Sequence, residues 1–222
     1  MFKRLIIALV LVLMIPLMAQ ATVLTFNFNI EFSDATPPAG SPPWLTATFD
    51  DGGLPGQVAL TMSTSGLISS EFVTEWDFNL DPSFDPTSLT ITYLSGVEAQ
   101  SLRQGLDAYQ ADGDGKYDIE FSFFSGPPSK RFNKDLTSVY DITGISSLTA
   151  NSFNFLSKSA GGHGPFYSAA HVQGIDPADA SKSGWVAPSG TPPIPEPGTL
   201  LLLGAGLVGL AGYARIRFGR RK

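Results

Sequence analysis

The sequence contains no cysteine. Disulfides, thiolate nucleophiles and cysteine-ligated zinc are therefore excluded. Without cross-links, a folded domain in this chain relies for stability on its core or on a bound ion. Histidine is almost as scarce, with His163 and His171 the only two copies. Two imidazoles without helical or ribbon spacing make no recognisable zinc site, and both read as surface or packing residues. Charged residues make up 15% of the chain. The sequence has no G-x-S-x-G, S-x-x-K, H-E-x-x-H or P-loop, so no familiar nucleophile or phosphate cradle is present. No stretch keeps helical spacing for three turns, which argues against a bundle.

What the chain does have is 23 glycines, 17 prolines and 16 phenylalanines in 222 residues. That mixture suits many short strands joined by turns. From Leu24 to Phe32 every even position is apolar and every odd one polar, the period of a half-buried strand. The same alternation returns at 58–62, 76–80, 89–93 and 119–123. Weaker strands are expected at 45–49, 97–102, 138–142, 152–156 and 167–175. Turn chemistry separates them at Asp51-Gly52-Gly53, Asp81-Pro82, Ser125-Gly126-Pro127-Pro128 and Gly161-Gly162. The series predicts an all-β domain over residues 22–187. Its expected form is an antiparallel β-sandwich, jelly-roll-like, with one apolar and one wet face per sheet.

Net charge is −6, but its distribution is uneven. Lys3 and Arg4 lie at one end, and Arg215, Arg217, Arg220, Arg221 and Lys222 at the other. Seven basic residues lie between these ends, and all the acidic residues but Glu196, nineteen of 20, fall in the central domain, leaving it near −12. Such a surface repels phosphate backbones, which excludes nucleic acid as a partner and suits solubility or cation binding.

The N-terminal segment, 1–21, reads as a signal peptide. Lys3 and Arg4 form a positive start, Leu5 to Leu17 an apolar run, and Ala19-Gln20-Ala21 a small-x-small cleavage site. The alternative is an uncleaved N-terminal anchor. At the other end, a Pro/Gly/Ser linker over 188–194 precedes Pro195-Glu196-Pro197. A glycine-dotted apolar run from Leu200 to Ala214 follows, and a transmembrane helix is expected over about 199–214. The run is shorter than the roughly 20 residues that span a bilayer, so it needs snorkelling arginines or a thinned membrane. The basic tail 215–222 acts as the membrane stop and stays cytoplasmic, with the domain outside. An ordinary single-span anchor with a proline-rich stalk is the alternative here.

Pro195-Glu196-Pro197-Gly198, the glycine-studded run and the terminal arginine cluster together resemble the PEP-CTERM sorting signal of exported Gram-negative proteins. The resemblance covers 195–222. It implies recognition by an exosortase at or near Pro195, Glu196 and Pro197. It also implies a host with exopolysaccharide or biofilm-matrix genes. Signal peptidase, the general secretion machinery and the inner membrane are the other expected partners. The implied location is across the inner membrane, anchored transiently, then at the cell surface or outside. Three further passages, 43–49, 71–73 and 168–175, are similar in style to ectodomains on such proteins, which adds location but no chemistry.

The densest acidic stretch is Asp112-Gly113-Asp114-Gly115-Lys116-Tyr117-Asp118-Ile119-Glu120. Oxygen ligands at alternate positions around a glycine turn suit Ca²⁺, which makes Asp112, Asp114, Asp118 and Glu120 candidate ligands, with Asp107 as an addition. Lys116 stands where another ligand would be expected, and Phe123 where a bidentate acid would close the loop. The other reading is an exposed hairpin turn, since Asp-Gly steps favour positive φ. Asp50, Asp51, Glu75, Asp77, Asp81 and Asp85 offer carboxylates for glycoside cleavage, but acids on strand faces are usually solvated. Trp44, Trp76 and Trp185 offer a sugar-stacking surface, although the periodicity around Trp76 favours the core. Three functions therefore stand open: a non-enzymatic surface or matrix protein, a Ca²⁺-assisted carbohydrate-binding module, and a polysaccharide hydrolase.

Overall fold

A computed structural model describes residues 21–176 and 182–190, with Gly206 beyond them. The alternating segments pair into eleven strands. In chain order these are β1 (Val23–Glu31), β2 (Leu45–Asp50), β3 (Val58–Ser63), β4 (Phe72–Phe78) and β5 (Thr90–Gly96). There follow β6 (Ser101–Ala111), β7 (Asp114–Ser122), β8 (Phe132–Asn133), β9 (Thr137–Thr143), β10 (Ser168–Gln173) and β11 (Ser183–Pro188). Every pairing is antiparallel. The order is β5-β9-β3-β2-β1-β11-β10-β4-β7-β6, with β8 beside β4.

All of these strands belong to one curled sheet, where two separate sheets were expected. The reason lies in β1. It pairs with β2 from Val23 to Phe28 and with β11 from Phe28 to Glu31, with a register shift between Phe28 and Ile30. The strand thus passes from one half of the sheet to the other, the way a bulged strand makes a corner. A twisted sheet of this width curls over on itself. Strands that share no hydrogen bonds then meet face to face. Phe49 of β2 packs edge-on to Phe78 of β4 at 5.2 Å, and Phe121 of β7 meets Tyr140 of β9 at 4.9 Å.

The abundant phenylalanine fills the space between the halves. Phe26, Phe28, Phe49, Phe78, Phe121, Phe132 and Phe153 are fully buried with Trp76. Burying each aromatic ring is worth a few kcal/mol at ~25 cal/mol/Å². A second, smaller apolar cluster lies apart from this core. It contains Phe32, Ala111, Tyr117, Ala169, Trp185 and Ala187, and Phe166 packs against Phe32 at 4.4 Å.

Several expectations need correction. The segment 152–156 is not a strand. Ala150–Phe153 forms a 3-10 turn, capped by reciprocal bonds between Thr149 and Ser152, and Phe153 stacks on Phe49 at 4.2 Å. Residues 97–100 link the two edge strands β5 and β6. The longest strand, β6, runs on to Ala111, and β11 takes in Pro188, the first residue of the expected linker. Among the described residues no helix is long and apolar enough to cross a membrane. The expected transmembrane helix 199–214 lies outside the described residues, apart from Gly206.

Candidate functional site

Asp112 and Gly113 form the turn between β6 and β7, with φ of 55° and 80°. The fold does not bring Asp112, Asp114, Asp118 and Glu120 together around one ion site; each of the last three serves a separate contact. Asp114 accepts hydrogen bonds from the N–H groups of Gly162 (2.6 Å) and His163 (3.0 Å). Its second oxygen lies 2.9 Å from Nδ1 of His163. Asp118 accepts from the N–H groups of Leu80 (2.9 Å) and Asp107 (2.8 Å). Asp107 itself pairs with Lys158 at 3.1 Å. Glu120 is held by Arg103, whose Nε lies 3.0 Å from Oε1 and whose Nη2 also reaches both carboxylate oxygens.

The remaining carboxylates divide in the same way. Asp50, Asp81 and Asp85 each accept a backbone N–H two residues ahead, from Gly52, Ser83 and Thr87. Asp51 accepts from Thr22 and Gly53. These are turn and end caps. The tryptophans do not form one sugar-binding surface. Trp44 and Trp76 belong to the main core, while Trp185 lies in the smaller cluster and stacks on His171 at 4.8 Å. His171 also contacts Thr74 Oγ1 through Nδ1, at 3.0 Å. Burial lowers the pKa of this imidazole to about 4 and keeps it neutral.

One cluster was not legible in the sequence. Cross-strand register sets Asp77 of β4 opposite Glu120 of β7, and Glu120 opposite Arg103 of β6. Glu75 follows two residues away on the same face of β4, opposite His171 of β10. Glu75, Asp77 and Glu120 can each offer one oxygen, all within 4.8 Å of one another. Asp77 is fully buried, and neither of its oxygens has a hydrogen-bond partner among the described residues. Burial raises its pKa well above the usual carboxylate range, and the charges of Glu75 and Glu120 raise it further. Burial and then the charge of Glu120 push Glu75 up to about 7, with Arg103 opposing. Such a trio can share protons among its carboxylates or hold a hard cation.

Asp77 and Glu120 sit at the polar positions of alternating strands, where a solvated face is the expectation. That face is covered because β4 and β7 sit inside the sheet beside the Phe166–Trp185 cluster. No local pattern reports this, since the residues of that cluster come from segments spread between Ile30 and Ala187.

Of the residues expected to direct export, Ala21 is exposed just before β1. Ala19, Pro195, Glu196, Pro197, Arg215, Arg217, Arg220, Arg221 and Lys222 lie outside the described residues. The last described segment is β11, a central strand, followed by Ser189, whose N–H bonds Asn29 Oδ1 at 2.8 Å. The described residues up to 190 thus end beside a strand in the middle of the sheet, between β1 and β10.

Residues 193–217 match the family model of the PEP-CTERM protein-sorting motif. The match takes in Pro195-Glu196-Pro197, the apolar run and the first two tail arginines. The chain therefore carries a PEP-CTERM sorting motif behind an all-β domain. No curated protein and no solved structure matches the chain.

Proposed function

We propose that this PEP-CTERM-bearing chain is a non-enzymatic surface or matrix protein of a Gram-negative bacterium, sorted by an exosortase through its C-terminus. The sorting motif at 193–217 is the observation that carries this reading. In the proposed sequence of events, signal peptidase removes 1–21 and the secretion machinery passes the domain across the inner membrane. The apolar run then holds the chain at membrane depth. Arg215, Arg217, Arg220, Arg221 and Lys222 stop translocation by favouring the cytoplasmic face. Pro195, Glu196 and Pro197 meet the exosortase in the outer aqueous layer, and the domain ends at the surface or in an exopolysaccharide-rich matrix.

The domain's own residues support a structural role. Asp50, Asp51, Asp81 and Asp85 cap backbone N–H groups, and Asp114 and Asp118 tie loops to β7. A carbohydrate-binding role loses its aromatic platform, because Trp44 and Trp76 are core residues. Replacing Pro195-Glu196-Pro197 by alanines tests the sorting step. The expected product stays in the membrane fraction at its tail-bearing mass, and normal processing of that variant contradicts the proposal.

A further inference from the structure

Among the described residues, six acidic side chains are buried: Asp51, Glu71, Asp77, Asp114, Asp118 and Glu120. A buried charge is costly unless it is paired or hydrogen-bonded. Five of the six meet that requirement. Glu71 accepts from the N–H groups of Ala39 and Ile68, both at 2.7 Å, and Glu120 has Arg103 and Ser122. Asp51, Asp114 and Asp118 each hold backbone N–H groups, as described above. Asp77 alone has no partner on either oxygen among the described residues. It sits at the centre of the cluster, between Glu75 on its own strand and Glu120 on the next.

We propose that Glu75, Asp77 and Glu120 form a binding site for one hard divalent cation of the Ca²⁺ type, on the face of the sheet away from the main core. Oxygen-only ligands select a hard cation over zinc or copper. His171, the nearest nitrogen ligand in register, is engaged through Nδ1 by Thr74 and lies outside the trio. Charge supports the same conclusion. Three ionised carboxylates and the Arg103 guanidinium sum to −2, which one divalent ion neutralises. Arg103 need not leave, because each carboxylate oxygen has two lone pairs and can bridge a donor and a cation.

Access and rigidity also fit. Asp77 and Glu120 project from paired central strands, which fixes their spacing before any ion arrives. Glu75 is only partly buried, so the cluster reaches solvent on its side. Water can fill the remaining positions of a Ca²⁺ shell. The ion would clamp β4 to β7, a cross-strand link in a chain that has no cysteine to make one. Ligand carboxylates must be deprotonated, so ion affinity should fall as the pH is lowered.

The test is thermal unfolding of the full chain in detergent at pH 7.5, after EDTA treatment and dialysis, with CaCl₂, MgCl₂ or ZnCl₂ added. Saturating Ca²⁺ at ~100 times its Kd is expected to raise the midpoint by about 5–10 °C. Equilibrium dialysis should find a single bound Ca²⁺ per chain. Asp77→Asn keeps the shape and removes a carboxylate ligand, so its Ca²⁺ response should vanish. Glu75→Gln, at the partly exposed position, should lose the response without endangering the fold. No shift with either Ca²⁺ or Mg²⁺ overturns the proposal. So does a Ca²⁺ shift that survives in both variants, or a response confined to ZnCl₂.

Discussion

Asp114 anchors the loop at His163: its Oδ2 lies 2.9 Å from the imidazole Nδ1, while its Oδ1 accepts the N–H groups of Gly162 and His163. Burial alone would raise the Asp114 pKa, but the His163 and Gly162 donors outweigh it and hold the carboxyl below its ordinary value. The same hydrogen bond raises His163, against a smaller desolvation effect, with Asp34 and Asp112 adding to the rise. The signs fix the pH window. Asp114's contribution is present above its unfolded value and disappears as pH falls through its lowered folded value. That of His163 is full below its unfolded value and disappears as pH rises through its raised folded value. The loop should therefore be held best between about pH 4 and 6.5. An NMR titration of the His163 ring is expected to give a midpoint above that of a free histidine, moving back towards it in Asp114→Asn.

The loop that wraps Asp114 also needs glycine at 161. Its φ is +69°, and a Cβ placed there would lie 1.8 Å from Asp114 Oδ1. Gly161→Ala should cost about 1–3 kcal/mol, and urea denaturation measures it. Amide exchange at Gly162 and His163 should quicken in the same variant while exchange in the β2–β3 ladder is unchanged.

Phe49 touches three rings across the folded sheet: Phe26 at 6.1 Å, Phe78 at 5.2 Å and Phe153 at 4.2 Å. Phe49→Ala should destabilise the domain by about 3–5 kcal/mol. Leu106, exposed on the irregular part of β6, provides the contrast, and Leu106→Ser should stay within about 0.5 kcal/mol. Chemical denaturation of the two variants against the parent chain measures both values.

The strands at Leu24–Phe32 and 58–62 were legible because one face packs on the core and the other stays more open, which writes the period directly into the residues. Strand β6 was hidden by its own irregularity. It shifts register between Gln104 and Tyr109, where Asp107 has a φ of 52°, and most of its side chains are exposed or only partly buried. The 152–156 segment has strand-like residues, but Phe153 is claimed by Phe49 and the Thr149 cap turns the chain. The Asp112-Gly113 pair was legible as a turn, while the partners of Asp114 and Asp118, drawn from segments far along the chain, were not. The Glu75–Asp77–Glu120 cluster escaped for the same reason, since it exists only in the register between β4 and β7. The sorting motif was the most legible feature because its meaning lies in linear order: a Pro-Glu-Pro triplet, an apolar run and a basic end.

The central claim is that this C-terminal order addresses the chain to an exosortase, and the most direct measurement is the intact mass of the mature protein from hosts with and without that enzyme. With the enzyme present, the mass should correspond to a chain that has lost the signal peptide and the segment beyond the Pro195-Glu196-Pro197 region, recovered from the surface or the medium. Without it, the chain should remain in the membrane fraction with the tail to Lys222 still attached. The same mass and the same location in both hosts would contradict the account.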